Sequence, residues 1–247
     1  MTAARRPAVS LARALSKLGV CSRADAEAWI RAGRVRVAGR VAREPSLRVD
    51  PDRDAIAVDG RPVRAAPRVY LALNKPRGVV VSREDARGAP TVFDLIADAP
   101  LAAGVPHLSA VGRLDKASEG LLLLTNDTRW AARLLDPASH VDKTYHVQVD
   151  AVPDDALLDA LLAGVPTPEG EVLAARAARL LRSGGRTAWL ELVLDEGRNR
   201  HIRRMLAARG VEVLRLVRVA IGALPLGDLP KGALRSLSTA ERRALTV

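Results

Sequence analysis

Residues 111–127 read VGRLDKASEGLLLLTND. One acidic residue, Asp115, stands between Arg113 and Lys116. An apolar run, Leu121 to Leu124, follows, and the polar turn Thr125-Asn126-Asp127 closes it. A short apolar run bounded by turn residues predicts a buried strand. A carboxylate at the mouth of such a strand, beside fixed positive charge, is a setting for an ionised nucleophile or base. Alone, an Asp in a turn is an ordinary capping or solvated residue. The whole run of residues, and the segments that follow it, single this one out.

Downstream, TRWAARLLDP (128–137) predicts a helix stopped before Pro137, and KTYHVQVD (143–150) alternates as a strand. VPDDALLDALLAGVP (152–166) predicts a helix, with Asp154 or Asp155 in its first turn. Strands then flank the turn Ser183-Gly184-Gly185. NRHIRRMLAARG (199–210) predicts a helix capped by Asn199 and ended by Gly210, and strands return over 211–229. Ser238 and Glu241 form a capping box for a last helix. Upstream, VYLALNKPRGVVVS from Val69 reads strand, loop, strand, and Thr91 is an N-cap for a helix over 91–99.

The N-terminal segment has its own grammar. Val9, Leu11, Leu15 and Leu18 make an apolar helical face ending at Gly19, and Ser22 with Asp25 opens a second helix to Ala32. VRVAGRVA (35–42) predicts two strands about Ala38-Gly39, with another at AIAVDG (55–60). RPVRAAPR (61–68) is rich in Pro and Arg and reads as a connection. The expected organisation is a disordered tail at 1–8, a small domain at 9–63, a linker at 64–68 and a larger domain at 69–247. Strands outnumber helices without alternating one to one, so an α+β fold is expected, with a mixed, mainly antiparallel sheet in the larger domain.

Composition bounds the function. The chain has 247 residues, 48% hydrophobic but only 2% aromatic, so its core must be Leu, Val and Ala. The net charge is +11, from 39 basic and 28 acidic residues. Residues 1–48 carry 11 basic and 3 acidic side chains, a net of +8. An even compositional drift toward Arg would not cluster so, and a polyanionic partner is expected. With a single cysteine and no paired-histidine spacing, neither a disulfide framework nor a zinc site is expected. No apolar run reaches ~18 residues and the N-terminus lacks an apolar signal core. The expectation is a cytoplasmic monomer with no membrane span and no metal or other cofactor.

Two resemblances sharpen these expectations. GRLD, the Ser118-Glu119-Gly120 spacing and the Leu-rich strand resemble the catalytic signature of the pseudouridine synthases that modify ribosomal RNA. LNKPRGVV, KTYHV and EGRNRHIRRML resemble that family's further segments, in the same order. Residues 9 to about 63 resemble the alpha-L RNA-binding motif, on LARALSKLGVCSRADAEAWIRAGRVRVAGRV and IAVDGRPV.

The resemblance implies a small N-terminal alpha-L RNA-binding domain and a larger catalytic domain of pseudouridine synthase type. It implies Asp115 as the nucleophile, Tyr145 against the target base and Arg203 paired with Asp115. An Arg ion pair depresses an Asp pKa and keeps it charged. Ile202 would pack by the base, and Arg113 would enter the space a flipped nucleotide leaves. Arg13, Lys17, Arg23, Arg31, Arg34 and Arg36 would face RNA, with Lys75 and Arg77 weaker candidates. His201 reads as structural. The expected partner is ribosomal RNA or a pre-ribosomal particle, and the 23S molecule is favoured.

Two rival readings have different consequences. A catalytically silent RNA-binding or ribosome-assembly factor explains the charge but does not require Asp115, Tyr145 and Arg203 together. A hydrolase using Asp115 as a base would want a metal cluster or a second carboxylate, and neither is evident.

Overall fold

The computed structural model describes residues 8–105 and 107–245. The expected disordered tail therefore lies outside the described residues, apart from Ala8. The chain forms two compact units. Among the described residues, one takes 8–70 with 102–105, 107–109 and 124–131, and the other takes 71–101, 110–123 and 132–245.

The first unit opens with β1 (Val9–Ser10) and α1 (Leu11–Lys17), capped by Ser10. α2 (Arg23–Arg31) starts at Ser22, the N-cap the sequence predicts, and Asp25 closes a capping box with it. β2 (Val35–Val37) and β3 (Arg40–Ala42) pair about Ala38-Gly39, both with positive φ, as a two-residue hairpin requires. β4 (Arg48–Val49) pairs with β1, and β5 (Ile56–Val58) with β2 and β6 (Arg61–Pro62). Leu11, Leu15, Ile30 and Val35 are wholly buried in one cluster. Burying each such side chain contributes roughly 1.5–3 kcal/mol, which lets so small a unit hold its shape. Residues 64–68 carry no helix or strand. They are fastened instead: the Ala66 N–H donates to the Leu18 carbonyl, and Arg68 donates to the carbonyls of Asn126 and Lys17.

The remaining elements, in chain order, are β7 (Tyr70–Lys75), α3 (Val92–Ile96), β8 (Ser109–Val111), β9 (Glu119–Thr125), α4 (Thr128–Leu135) and β10 (Lys143–Val149). Then come α5 (Asp155–Ala163), β11 (Val165–Pro166), β12 (Val172–Leu173), β13 (Ala177–Ser183), β14 (Ala188–Leu194) and α6 (His201–Ala207). β15 (Val213–Ile221), β16 (Leu224–Pro225), β17 (Leu234–Ser236) and α7 (Thr239–Ala244) complete the chain. The main sheet runs β13-β14-β10-β15-β9-β7-β17, with β16 beside β15 and β8 beside β9. The pairs β13–β14, β14–β10, β10–β15 and β7–β17 are antiparallel, whereas β9 runs parallel to β15. The fold is the mixed, mainly antiparallel α+β arrangement expected. β9 lies inside this sheet, which is why Leu121, Leu122 and Leu123 are all wholly buried.

Two local expectations are corrected. VVVS (79–82) is not a strand; it contributes only a single bridge, Val80 to Thr91. Asn199 does not cap α6. The cap residue is Arg200, in the left-handed region at φ 48°, and it makes no side-chain cap bond. The two turn residues before His201 move the helix start past Asn199.

Candidate active site

Asp115 sits in the turn between β8 and β9, and three outside donors hold that turn. The Ser118 N–H closes it on the Asp115 carbonyl at 2.9 Å. The carbonyl of Lys116 accepts from the Gly78 N–H at 2.8 Å, that of Ala117 from Arg203 Nη2 at 3.4 Å, and that of Ser118 from Lys75 Nζ at 2.7 Å. Three consecutive carbonyls are thus held from two segments, the end of β7 with the loop after it, and α6. Gly120 completes the arrangement. Its φ is +103°, and a Cβ there would overlap the Arg218 carbonyl oxygen. Only glycine lets β9 approach β15 this closely.

The turn borders a cavity of about 610 Å³. Asp115, Tyr145, Ile202, Arg203, Lys143 and Arg218 all line it. Asp115 is half-buried, and among the described residues its carboxylate has neither a hydrogen bond nor an ion pair. Tyr145 is buried, directly opposite Arg218 on β15. Ile202, on α6, is buried beside it in the lining. Arg113 is exposed at the rim.

Arg203 does not touch Asp115 as the resemblance implies. Its Nη1 donates to the Val213 carbonyl at 2.9 Å and its Nη2 to the Ala117 carbonyl. Burial pushes its guanidinium below the ordinary range. The like charges of Arg200 and Arg77 add to that, against the opposing pull of Asp115 and Glu212. Arg203 is therefore an electrostatic neighbour of the carboxylate and a mechanical support of its turn.

Sequence reasoning gave Lys75 a weak place facing RNA. The structure corrects it: Lys75 is wholly buried, with Nζ donating to the carbonyls of Pro76 and Ser118. Burial pushes its pKa down to about 8, opposed by Glu119 and Asp115 and reinforced by Arg218. A lysine closing a strand gives no signal of such burial. Arg218 was missed as well, although it is 5% exposed and donates through Nε to the Leu121 carbonyl at 2.7 Å. Alternation from buried Leu216 puts Arg218 on the same face, so that signal was present. Glu119 is spoken for: burial would raise its pKa, but hydrogen bonds from Arg215 and Lys231 outweigh that and hold it ionised. His201 is buried and kept neutral mainly by that burial. Among the described residues, no three His, Cys, Asp or Glu side chains gather as metal ligands.

The six basic candidates of the first unit differ in what they do. Arg13 and Arg23 are exposed and their guanidinium groups are unpartnered among the described residues. Arg31 pairs with Glu27 at 3.1 Å, and Arg36 donates to the Gly39 carbonyl. Arg34 makes a forked pair with Asp59 and lies over the Trp29 ring at 5.0 Å. Lys17 is half-buried.

Comparison with known proteins decides the family. Residues 69–208 match the model described as RNA pseudouridylate synthase. The chain belongs to that family. Its members are isomerases, and residues 9–56 of this synthase match the S4 domain. An uncharacterized RNA pseudouridine synthase of Mycobacterium leprae is 44% identical, over 96% of this chain and 92% of that protein. Ribosomal large subunit pseudouridine synthase B of Bacillus subtilis is 37% identical, over 95% of this chain and 94% of that protein. A crystal structure of a pseudouridylate synthase superposes with a TM-score of 0.66 at 28% identity, covering 96% of this chain and 99% of that one.

Proposed function

We propose that this synthase converts a uridine of large-subunit ribosomal RNA to pseudouridine, with Asp115 as the nucleophile. The observation that carries the reading is the state of Asp115. It is a carboxylate unpartnered among the described residues, on a turn held by three donors, at a cavity shared with Tyr145, Ile202 and Arg203. The rRNA substrate is supported by the Bacillus subtilis relative, which matches along nearly all of both chains. The S4 match and the net +8 of residues 1–48 support an RNA partner of the same kind.

The uridine must leave its helix to reach the cavity. Asp115 then attacks the ribose C1′, or takes the C2′ proton to leave a glycal. Either route breaks the bond from C1′ to N1, and the uracil keeps that electron pair. The base turns and C5 bonds to C1′. On the first route this displaces the Asp115 carboxylate from C1′, and on the second Asp115 gives its proton back to C2′. The C5 proton then leaves and N1 gains one. The atoms balance without an external oxidant or reductant. Tyr145 contacts the base, and it or a water receives the C5 proton. Ile202 packs on the base. Arg203 keeps positive charge beside Asp115 while holding the Ala117 carbonyl. The enzyme acts as a cytoplasmic monomer on RNA or an assembling particle.

The test is Asp115→Asn, which keeps the shape and removes the nucleophile. Single-turnover assays on transcribed rRNA, scoring pseudouridine, should show conversion lost while RNA binding persists. Activity within about tenfold of the parent, a barrier change of only ~1.4 kcal/mol, overturns the assignment.

A further inference from the structure

The segment leading into α6 treats its arginines unequally. Arg198 pairs with Glu196 at 2.9 Å, and Arg204 pairs with Glu169 at 3.0 Å and with Glu171. Arg200, between them, is exposed at the cavity and has no partner among the described residues. Its backbone is left-handed, φ 48° and ψ 32°, a conformation that disfavours every side chain with a Cβ. Glycine would sit there at no such cost. Arginine stands there instead, and its neighbours' carboxylates do not reach it.

Arg77 reaches the same region from another segment. It too is exposed and unpartnered among the described residues. It is anchored by its neighbour, Gly78, whose N–H holds the Lys116 carbonyl next to Asp115. The charges of both Arg77 and Arg200 bear on Arg203, which lines the cavity with Arg200 and Asp115, and the Gly78 bond fastens Arg77 next to the Asp115 turn. Like charges gathered without counter-ions oppose the compact state. An anionic ligand relieves that repulsion, and forked guanidinium groups suit phosphate. The aromatic in the cavity lining is Tyr145, which is buried, so base stacking has no platform at the exposed mouth.

Resting on the function proposed above, we infer that Arg77 and Arg200 form a phosphate clamp at the cavity mouth. Each contacts one RNA backbone phosphate beside the uridine that enters. The clamp positions the strand, leaving the chemistry to Asp115. Arg200 keeps its strained backbone because the charge is needed at that spot.

The test compares Arg77→Gln, Arg200→Gln, Arg200→Lys, Arg200→Gly and the Arg77→Gln/Arg200→Gln double variant. Affinity for transcribed large-subunit rRNA fragments is titrated by fluorescence at several salt concentrations, with kcat and KM measured in parallel. Each loss of charge should flatten the plot of log affinity against log salt by about 0.7–0.9, and the double variant by roughly twice that. KM should rise more than kcat falls. Arg200→Lys should keep the slope. Arg200→Gly should lose it as Arg200→Gln does, yet melt no lower than the parent, which separates lost contact from lost fold. A double variant with the parent's slope overturns the clamp, as does a loss confined to kcat. The parent's own conversion of uridine is read in the same assay. If it converts none, the functional reading fails, while the salt slopes still judge the clamp.

Discussion

The ammonium of Lys75, wholly buried, donates to the carbonyl of Ser118 at 2.7 Å, three residues past Asp115. A charge-assisted bond from a buried group is strong, and it fixes the turn that presents the carboxylate. Burial holds the Lys75 pKa at about 8, below the usual lysine value of 10.5. Between those two values the unfolded chain binds more protons than the folded one. This group's contribution to stability therefore rises with pH across that window. Activity should run the other way, because deprotonation weakens the grip on Ser118.

The expected kcat profile falls above about pH 8 with a single ionisation. Lys75→Arg, which stays charged, should flatten that alkaline limb, and Lys75→Met should lower kcat at every pH. If the limb is unchanged in Lys75→Arg, Lys75 is not its source.

Gly120→Ala should cost more than any surface change. The new Cβ meets the Arg218 carbonyl oxygen, and lies 2.8 Å from the Arg218 nitrogen, at a φ of +103°. Strain of this kind costs about 1–3 kcal/mol, and overpacking against rigid backbone adds a similar amount. Urea denaturation should show a loss of roughly 2–6 kcal/mol, with activity falling as β9 leaves β15. A loss below ~1 kcal/mol would mean the two strands can part cheaply.

Much of the fold was legible because local rules and tertiary context agree. The capping boxes at Ser22, Thr91 and Ser238 all form, since each Ser or Thr has its Asp or Glu three residues on. The positive φ at Ala38 and Gly39 matches the hairpin read from VRVAGRVA. VVVS failed because a β-rich run needs a partner strand, and only Thr91 bridges to it. Asn199 failed because the chain turns twice more before the helix begins. Asp115 and Tyr145, 30 positions apart in sequence, line one cavity. Arg203 reaches the same cavity yet grips carbonyls. A motif names the residue but does not fix which acceptor lies nearest its fork.

That distinction gives Arg203→Met a specific expectation. The substitution removes the donors to Ala117 and Val213, two carbonyls on different segments. Leaving a fully buried acceptor unsatisfied costs about 1–3 kcal/mol, and these two part-buried carbonyls cost less than that each. Stability should drop and kcat should fall strongly, because the Asp115 turn loosens. Arg203→Lys keeps the charge but offers a compact ammonium in place of the fork, so it should recover only part of the activity. Full recovery would show that charge alone matters and that the double grip is incidental.

The first unit offers a test of which basic side chains touch RNA and which hold the fold. Arg13 and Arg23 are exposed with unpartnered guanidinium groups among the described residues, whereas Arg34 is forked onto Asp59 and stacked on Trp29. A free arginine can neutralise a phosphate without first breaking an ion pair. Replacing both Arg13 and Arg23 by Gln should therefore flatten the salt dependence of rRNA binding by about 1.4–1.8 in logarithmic slope, with unchanged melting. Arg34→Gln should do the reverse. It leaves Asp59 without its partner and uncovers Trp29, so melting should fall while the slope moves less. Titrations at several salt concentrations, with thermal denaturation of the same three proteins, read both quantities. Equal slopes in all three would mean the cluster is a solvated surface and that RNA meets the S4 domain elsewhere.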